Sequence, residues 1–226
     1  MEEVSTIPSR TNLAVSLLAM LLNSEFINLL GHIWQWGRKI VTAKTHEGMY
    51  EVLECELSLE LRDSKGHQAM CSKREVVRFL QDNIIAFQDK VWGDGDIFAD
   101  YKCSPGIPVD TYREGHRYRV LISLRETKRR GDTEEFRFER RIENGFTQPV
   151  EEFQTHIDQH TKQLALQVIF PKNRSPKSVL LIEQNSMRST KAGPEHETVL
   201  PDGRTQIRWN VEKPRLFESY LIHWGW

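Results

Sequence analysis

The spacing of hydrophobic residues changes once along this chain, near residue 45. From Leu13 to Trp36 the residues are mostly apolar, and Glu25 is the only Asp, Glu, Lys or Arg among them. This stretch exceeds the roughly 20 residues that a helix needs to cross the hydrocarbon core of a bilayer. It ends on two tryptophans and is followed at once by two basic residues, a pattern typical of a membrane span with an aromatic belt. We therefore predict an N-terminal helical segment over residues 1–45.

The second half of this segment carries a polar stripe. Its polar residues recur at three- and four-residue steps, which places them on one helix face: Ser24, Glu25, Asn28, His32 and Gln35. Three interpretations stay open: a single span whose stripe faces copies of itself, a short apolar helix followed by an interfacial helix, and a helical hairpin packed on the rest of the chain or on a soluble partner. The residues predicted to contact lipid or a partner protein, within residues 11–41, are Leu13, Leu17, Leu21, Phe26, Leu29, Ile33, Trp34 and Trp36.

Basic residues around the segment predict its orientation. Arg38, Lys39 and Lys44 follow it, whereas Arg10 alone precedes it. If the segment spans a membrane, the positive-inside rule puts the remainder of the chain in the cytoplasm. The alternative location is a soluble cytoplasmic one.

From Tyr50 onward the hydrophobic period is two. Leu53, Cys55, Leu57, Leu59 and Leu61 alternate with polar, largely acidic residues, as in an antiparallel sheet with one wet face. Many short alternating runs separated by turn residues predict an antiparallel β-sandwich over residues 46–226. The C-terminus ends on alternating aromatic residues, so we expect its last run to be a strand inside a sheet.

Several local features carry more specific expectations. The runs at 118–124 and 136–142, joined by a turn at 128–132, predict a β-hairpin. Its basic outer face suggests that the strand at 117–126 lies beside the acidic strand at 50–61. The continuous apolar run 179–182 predicts a strand buried on both faces. The polar composition of residues 185–196 predicts a loop. The segment after Pro149 is predicted to be a short helix or an irregular connection.

Composition narrows the functional classes. The 226 residues carry a net charge of -1, so the chain as a whole exerts no electrostatic attraction on nucleic acid. Three cysteines without metal-type spacing argue against a disulfide framework and for a reducing compartment.

Residues of the C-terminal half resemble a known but uncharacterised module. The resemblance rests on spaced turn and aromatic residues over about residues 50–226, which are Phe170-Pro171, Arg174, Pro176, Pro201-Asp202-Gly203 and the run Tyr220 to Trp226. It is to a bacterial β-sandwich module found at the C-terminus of helix-turn-helix regulators and of defence- and signalling-associated proteins. The resemblance implies a fold and a bacterial cytoplasmic setting. No helix-turn-helix pattern precedes the module here, so DNA binding is not predicted.

Catalytic and metal-binding motifs give little support to an enzyme. His156 and His160 could share a helix face, but no further ligand follows at metal-site spacing. The run Gly93 to Asp96 offers two carboxylates without the other ligands of a calcium loop. The sequence contains no phosphate-binding loop and no nucleophile elbow. We therefore expect a non-enzymatic protein with no metal and no cofactor.

One basic cluster is the best candidate for binding an anion. Lys128, Arg129 and Arg130 lie in the predicted hairpin turn, and Arg140 and Arg141 could extend the cluster. Such a cluster suits phosphate groups on a nucleotide, RNA or lipid. The working hypothesis is a membrane-associated, self-associating bacterial protein whose β-sandwich binds a partner or a small anionic ligand in signalling or defence. The alternative is a soluble subunit whose N-terminal helix docks on a larger complex.

Overall fold

A computed structural model describes residues 48–93, 96–115 and 117–226. The predicted N-terminal helical segment, with all of its lipid- or partner-contacting residues, lies outside the described residues. No helix within the described ranges is long and apolar enough to cross a membrane. These ranges hold a mainly β body, as the period-two pattern predicts.

Fourteen strands follow one another in the described ranges. They are β1 Tyr50–Leu61, β2 Gln68–Phe79, β3 Ile84–Val91, β4 Asp96–Ser104, β5 Ile107–Glu114, β6 Arg117–Lys128, β7 Thr133–Glu143, β8 Val150–His156, β9 Thr161–Phe170, β10 Ser178–Glu183, β11 Arg188–Lys191, β12 Glu197–Val199, β13 Thr205–Glu212 and β14 Ser219–Gly225. A 3-10 turn, Pro194–His196, precedes β12.

The strands form three sheets. The large sheet has seven strands in the order β12-β13-β9-β1-β2-β7-β4. A four-stranded sheet has the order β11-β10-β14-β8, and a three-stranded sheet has the order β3-β6-β5. Every pair is antiparallel except β1 with β9, which run parallel in the middle of the large sheet.

Both small sheets pack on the same face of the large sheet. Phe136 on β7 stacks on Phe87 of the three-stranded sheet, with ring centroids 4.0 Å apart. Phe170 on β9 meets Trp224 of the four-stranded sheet edge to face at 5.4 Å. The strand registers place Phe136 and Phe170 on one face of the large sheet. The apolar core lies on this inner face, where these four aromatic residues are buried.

The outer face of the large sheet is polar, and its charges pair across strands. Glu54 of β1 accepts a hydrogen bond from Arg74 of β2 at 2.6 Å, and Glu56 accepts one from Arg208 of β13 at 2.6 Å. The expected charge pairing of the acidic β1 face is therefore present. The expected partner is wrong, because β1 lies between β2 and β9 and not beside β6.

The predicted hairpin of β6 and β7 is also wrong. β6 pairs with β3 and β5, whereas β7 pairs with β2 and β4. The turn at 128–132 carries the chain from the three-stranded sheet into the large sheet, so the apolar faces of the two strands point toward a shared core. Alternation predicts which face of a strand is buried, but not which strand lies beside it.

The structure confirms some of the other local predictions and corrects the rest. The strand at 179–182 is buried on one face only, since Val179 and Leu181 are buried whereas the alternating Leu180 and Ile182 are half-buried. The expected helix or irregular connection after Pro149 is strand β8. The expected loop at 185–196 contains the exposed edge strand β11. The prediction for the C-terminus is confirmed, because β14 lies between β10 and β8.

Candidate ligand-binding cavity

A cavity of about 650 Å³ lies between the two small sheets, above the inner face of the large sheet. We call it the central cavity. Its floor comes from the large sheet and includes Leu57, Cys71, Lys73, Tyr101, Phe138, Arg140 and Ile142. One wall comes from the three-stranded sheet and adjoining residues and includes Asp89, Lys90, Trp92, Arg113, Arg117 and Tyr118. The other wall includes Phe146 and residues Glu151, Glu152, Phe153, Gln154 and His156 of β8.

A charged cluster forms part of the floor. The Lys73 ammonium lies 2.7 Å from Asp89 Oδ1 and 2.8 Å from Glu75 Oε2. The Tyr101 hydroxyl donates to Asp89 Oδ2 at 2.9 Å. Lys73 also lies over the Phe138 ring, 4.5 Å from its centroid. The cluster holds one cation between two carboxylates, so Lys73 has little positive charge left to offer a ligand.

Burial and neighbouring charges act on these groups in opposite directions. Burial alone would lower the pKa of Lys73, but the carboxylates of Asp89 and Glu75 outweigh burial and raise that pKa well above its ordinary value. Burial and the Asp89 carboxylate both raise the pKa of Tyr101. At neutral pH Lys73 is therefore charged, and Tyr101 is a neutral hydrogen-bond donor.

Two half-buried cations of the cavity have no such neutralisation, and the exposed Arg113 is a third guanidinium without a carboxylate partner among the described residues. Arg117 lies over the Trp92 ring, with its guanidinium carbon 5.6 Å from the ring centroid. Arg140 is half-buried, and its Nε is buried without a hydrogen-bond partner. Within the described residues, neither guanidinium forms an ion pair with a carboxylate. A half-buried guanidinium without a carboxylate partner attracts an anion more strongly than a guanidinium in bulk water, because the local dielectric constant is lower.

Further charged and polar groups line the walls. Lys90 forms an ion pair with Asp158, which follows β8. Arg113 lies over the Tyr118 ring at 5.8 Å and donates to the Gly115 carbonyl. His156 Nδ1 lies 3.0 Å from Ser219 Oγ, so the two side chains share a hydrogen bond. Burial and the nearby cations, Arg117 first, lower the pKa of His156 below its ordinary value, so it is mainly neutral at pH 7.

The structure does not bring the predicted basic cluster together. Arg140 faces the central cavity, whereas Arg141 lies on the opposite face of β7 and pairs with Asp100 and Glu143. Lys128 is paired with Glu134 and Glu126 at the far end of β6. Arg129 and Arg130, in the turn beyond it, are exposed. With a rise of about 3.3 Å per residue along β7, the turn is on the order of 20 Å from Arg140.

The structure also bears on the weaker candidate metal sites. β8 is a strand that ends at His156, and His160 is exposed in the loop before β9, so the two do not share a helix face as the spacing suggested. Asp94 and Gly95 lie outside the described residues. No group of three or more potential metal-ligating side chains occurs among the residues that the structure describes.

Sequence reasoning missed Lys73, Asp89 and Arg117. A signal for two of them was present: Lys73 and Glu75 occupy inward positions between Cys71 and Val77 on β2, and Asp89 separates Phe87 from Val91 on β3. Charged residues at positions where the period demands apolar ones indicate a buried polar cluster. Arg117 is the first residue of β6 and does not interrupt the hydrophobic alternation, so no local pattern marks it.

Comparison with known proteins does not assign this chain to a family. No family model matches this chain, and no curated protein matches it. Among solved structures, Legionella pneumophila aminopeptidase A in complex with aspartic acid shows a TM-score of 0.46 at 11% identity over 79% of this chain and 22% of that chain. A putative protease from Parabacteroides distasonis also shows 0.46, at 9% identity over 79% of this chain and 40% of that chain. This chain thus spans less than half the length of either structure, and neither likeness assigns it an activity.

Proposed function

We propose that the β-rich body, as a β-sandwich, binds a small organic anion in the central cavity. The observation that carries this proposal is that two half-buried arginines, Arg117 and Arg140, line the cavity without forming an ion pair with a carboxylate in the described part of the chain. The cavity volume falls within the roughly 300–1,000 Å³ of typical small-molecule sites. Arginine is well suited to such a role, because its planar fork pairs with carboxylate and phosphate oxygens.

The proposal is a binding function without catalysis. In the cavity the buried Asp89 is engaged by Lys73 and Tyr101, and His156 by Ser219. Groups committed to such contacts stabilise the walls of a site. Their polar atoms are already engaged, whereas a general acid or base must come within hydrogen-bond reach of the proton that it transfers, directly or through one water.

A titration of the full-length protein with three organic anions tests the proposal. AMP, phenyl phosphate and citrate would be titrated by isothermal calorimetry, in mild detergent where the chain requires it. We expect at least one to bind, and its affinity to fall by about tenfold or more in R117Q/R140Q, since a charged hydrogen bond contributes roughly 1.5–3 kcal/mol. R141Q is the matched control, because Arg141 lies on the outer face of the same strand. Equal affinity of the double variant and the wild type would refute the site.

The N-terminal segment adds a second part to the proposal. Its apolar stretch supports membrane association, with docking on a soluble partner as the alternative. A carbonate wash of membranes from expressing cells separates the two: retention in the pellet supports the anchor. Full release, followed by isolation of a monodisperse detergent-free complex, supports the subunit.

A further inference from the structure

We infer that the ligand of the central cavity is a phosphate ester of a planar aromatic group, with its phosphoryl group between Arg117 and Arg140 and its ring against the aromatic wall. This inference rests on the proposed anion-binding function and narrows it to one chemical class. It draws on the charge balance of the cavity, on the distribution of aromatic side chains and on the size of the cavity.

The charge balance favours a phosphoryl group over a single carboxylate. Arg117 and Arg140 are half-buried and contribute two positive charges without carboxylate partners among the described residues, and the exposed Arg113 adds a third such charge to the lining. A phosphate monoester carries about -1.5 to -2 charges near pH 7 and three acceptor oxygens, enough to pair with both guanidiniums. A carboxylate has one charge and two oxygens, which one guanidinium satisfies in bidentate geometry.

The same balance confines the phosphoryl group to one part of the cavity. Asp89 and Glu75 together exceed the charge of Lys73 by one negative charge. β8 adds the carboxylate of Glu152 on the opposite wall. An anion placed near either of these regions would be repelled, so the arginine pair is the favourable position for a single phosphoryl group.

Aromatic side chains occupy much of the remaining lining. Six of them face the cavity: Trp92, Tyr101, Tyr118, Phe138, Phe146 and Phe153. Trp92 is half-buried and Arg117 lies over one face of its indole, so a ligand ring stacked on the other face would hold its phosphate near that guanidinium. Stacking of a base on an aromatic side chain contributes about 1–3 kcal/mol. Inorganic phosphate would leave most of a 650 Å³ cavity unfilled.

Five probes separate the parts of this inference in calorimetric titrations of the full-length protein. AMP and phenyl phosphate carry a ring and a phosphoryl group, ribose 5-phosphate and inorganic phosphate carry no aromatic ring, and citrate carries carboxylates alone. We expect at least one ring-bearing phosphate to bind about tenfold or more tightly than the other three probes. Trp92→Leu should reduce that affinity to the level of ribose 5-phosphate. R140Q should lower the affinity for every phosphate, whereas R141Q should not.

The outcomes that overturn the inference differ from those that overturn the proposed function. If ring-bearing and ringless phosphates bind equally, the aromatic subsite is refuted while anion binding stands. If citrate binds more tightly than every phosphate, the phosphoryl assignment is refuted while anion binding again stands. If no probe binds, or if R117Q/R140Q leaves every affinity unchanged, the proposed function fails and the inference fails with it.

Discussion

The Lys73 ammonium lies 2.7 Å from the Asp89 carboxylate, and the two residues belong to different sheets. Lys73 is on β2 of the large sheet, and Asp89 is on β3 of the three-stranded sheet. Asp89 is only 2% exposed. The pair therefore joins the two layers at the floor of the central cavity with a buried charge contact in place of an apolar one, and removal of either partner leaves a charge without compensation.

Replacement of Lys73 by methionine should destabilise the protein strongly. The variant keeps the length of the side chain but leaves the carboxylates of Asp89 and Glu75 facing each other without a cation. Breaking a buried ion pair in this way costs about 3–5 kcal/mol. Urea unfolding followed by tryptophan fluorescence would measure the loss. Lys177→Met, at an exposed position, is the control and should change the free energy of unfolding by less than about 0.5 kcal/mol.

Neutralising the carboxylates distinguishes electrostatics from packing in this variant. In the triple variant K73M/E75Q/D89N no uncompensated charge remains, so we expect it to recover much of the stability that K73M loses. If the triple variant is as unstable as K73M or less stable, charge imbalance is not the reason for the loss. In that case the lost contact of the Lys73 ammonium with the Phe138 ring would account for the effect.

The sequence predicted the class of the fold better than the site. Period-two alternation at Tyr50–Leu61 identifies a half-buried strand, because burial acts on each residue separately. It cannot reveal that β9 runs parallel beside β1, more than 100 residues later, since strand pairing depends on the whole arrangement. Arg140 was among the predicted anion-binding residues, but its predicted companions in the turn lie far from it. The cavity is assembled from the eight strands β1 to β8 with adjoining residues, and no local sequence pattern contains such an assembly.

Gly66 should tolerate alanine far less well than Gly131. Both glycines have positive φ angles, +76° and +93°. A Cβ atom at Gly66 would lie 1.7 Å from the carbonyl oxygen of Phe146, whereas a Cβ at Gly131 would have no neighbour within 4 Å. Gly131→Ala should therefore cost only the left-handed backbone penalty of about 1–2 kcal/mol. Thermal unfolding of both variants would test this, and equal losses would show that the turn at Gly66 can move away from Phe146.

The stack of Phe87 on Phe136 should contribute more to stability than an exposed ring. Phe136 is fully buried, and its ring centroid lies 4.0 Å from that of Phe87. Phe136→Ala removes this contact between two sheets and should cost about 3–5 kcal/mol. Phe217, which is 57% exposed, is the matched control. Similar urea midpoints for the two alanine variants would contradict a core role for the stack.

Glu218 should make the stability of the protein depend on pH in the acid range. Its side chain accepts hydrogen bonds from the backbone N–H groups of Asn185, Ser186 and Ser219 at 2.6, 3.0 and 3.0 Å, and one from the Ser186 hydroxyl. Burial alone would raise the pKa of Glu218, but these donors outweigh burial and lower it. The carboxylate thus ties the start of β14 to the turn after β10.

The direction of the pH effect follows from the lowered pKa. Below the unfolded-state value of about 4.3, the unfolded chain takes up the proton more readily than the folded protein does. The stabilisation is therefore complete above that pH and is lost as the pH falls through the lower folded-state pKa. Glu218→Gln should lower the free energy of unfolding at pH 7 by about 1.5–3 kcal/mol. Below about pH 4.3 the free energy of unfolding of this variant should fall less steeply with pH than that of the wild type. Urea unfolding between pH 3 and 7 would measure both changes, with the exposed Glu197→Gln as control. A decline in Glu218→Gln as steep as in the wild type would assign the acid sensitivity to other carboxylates.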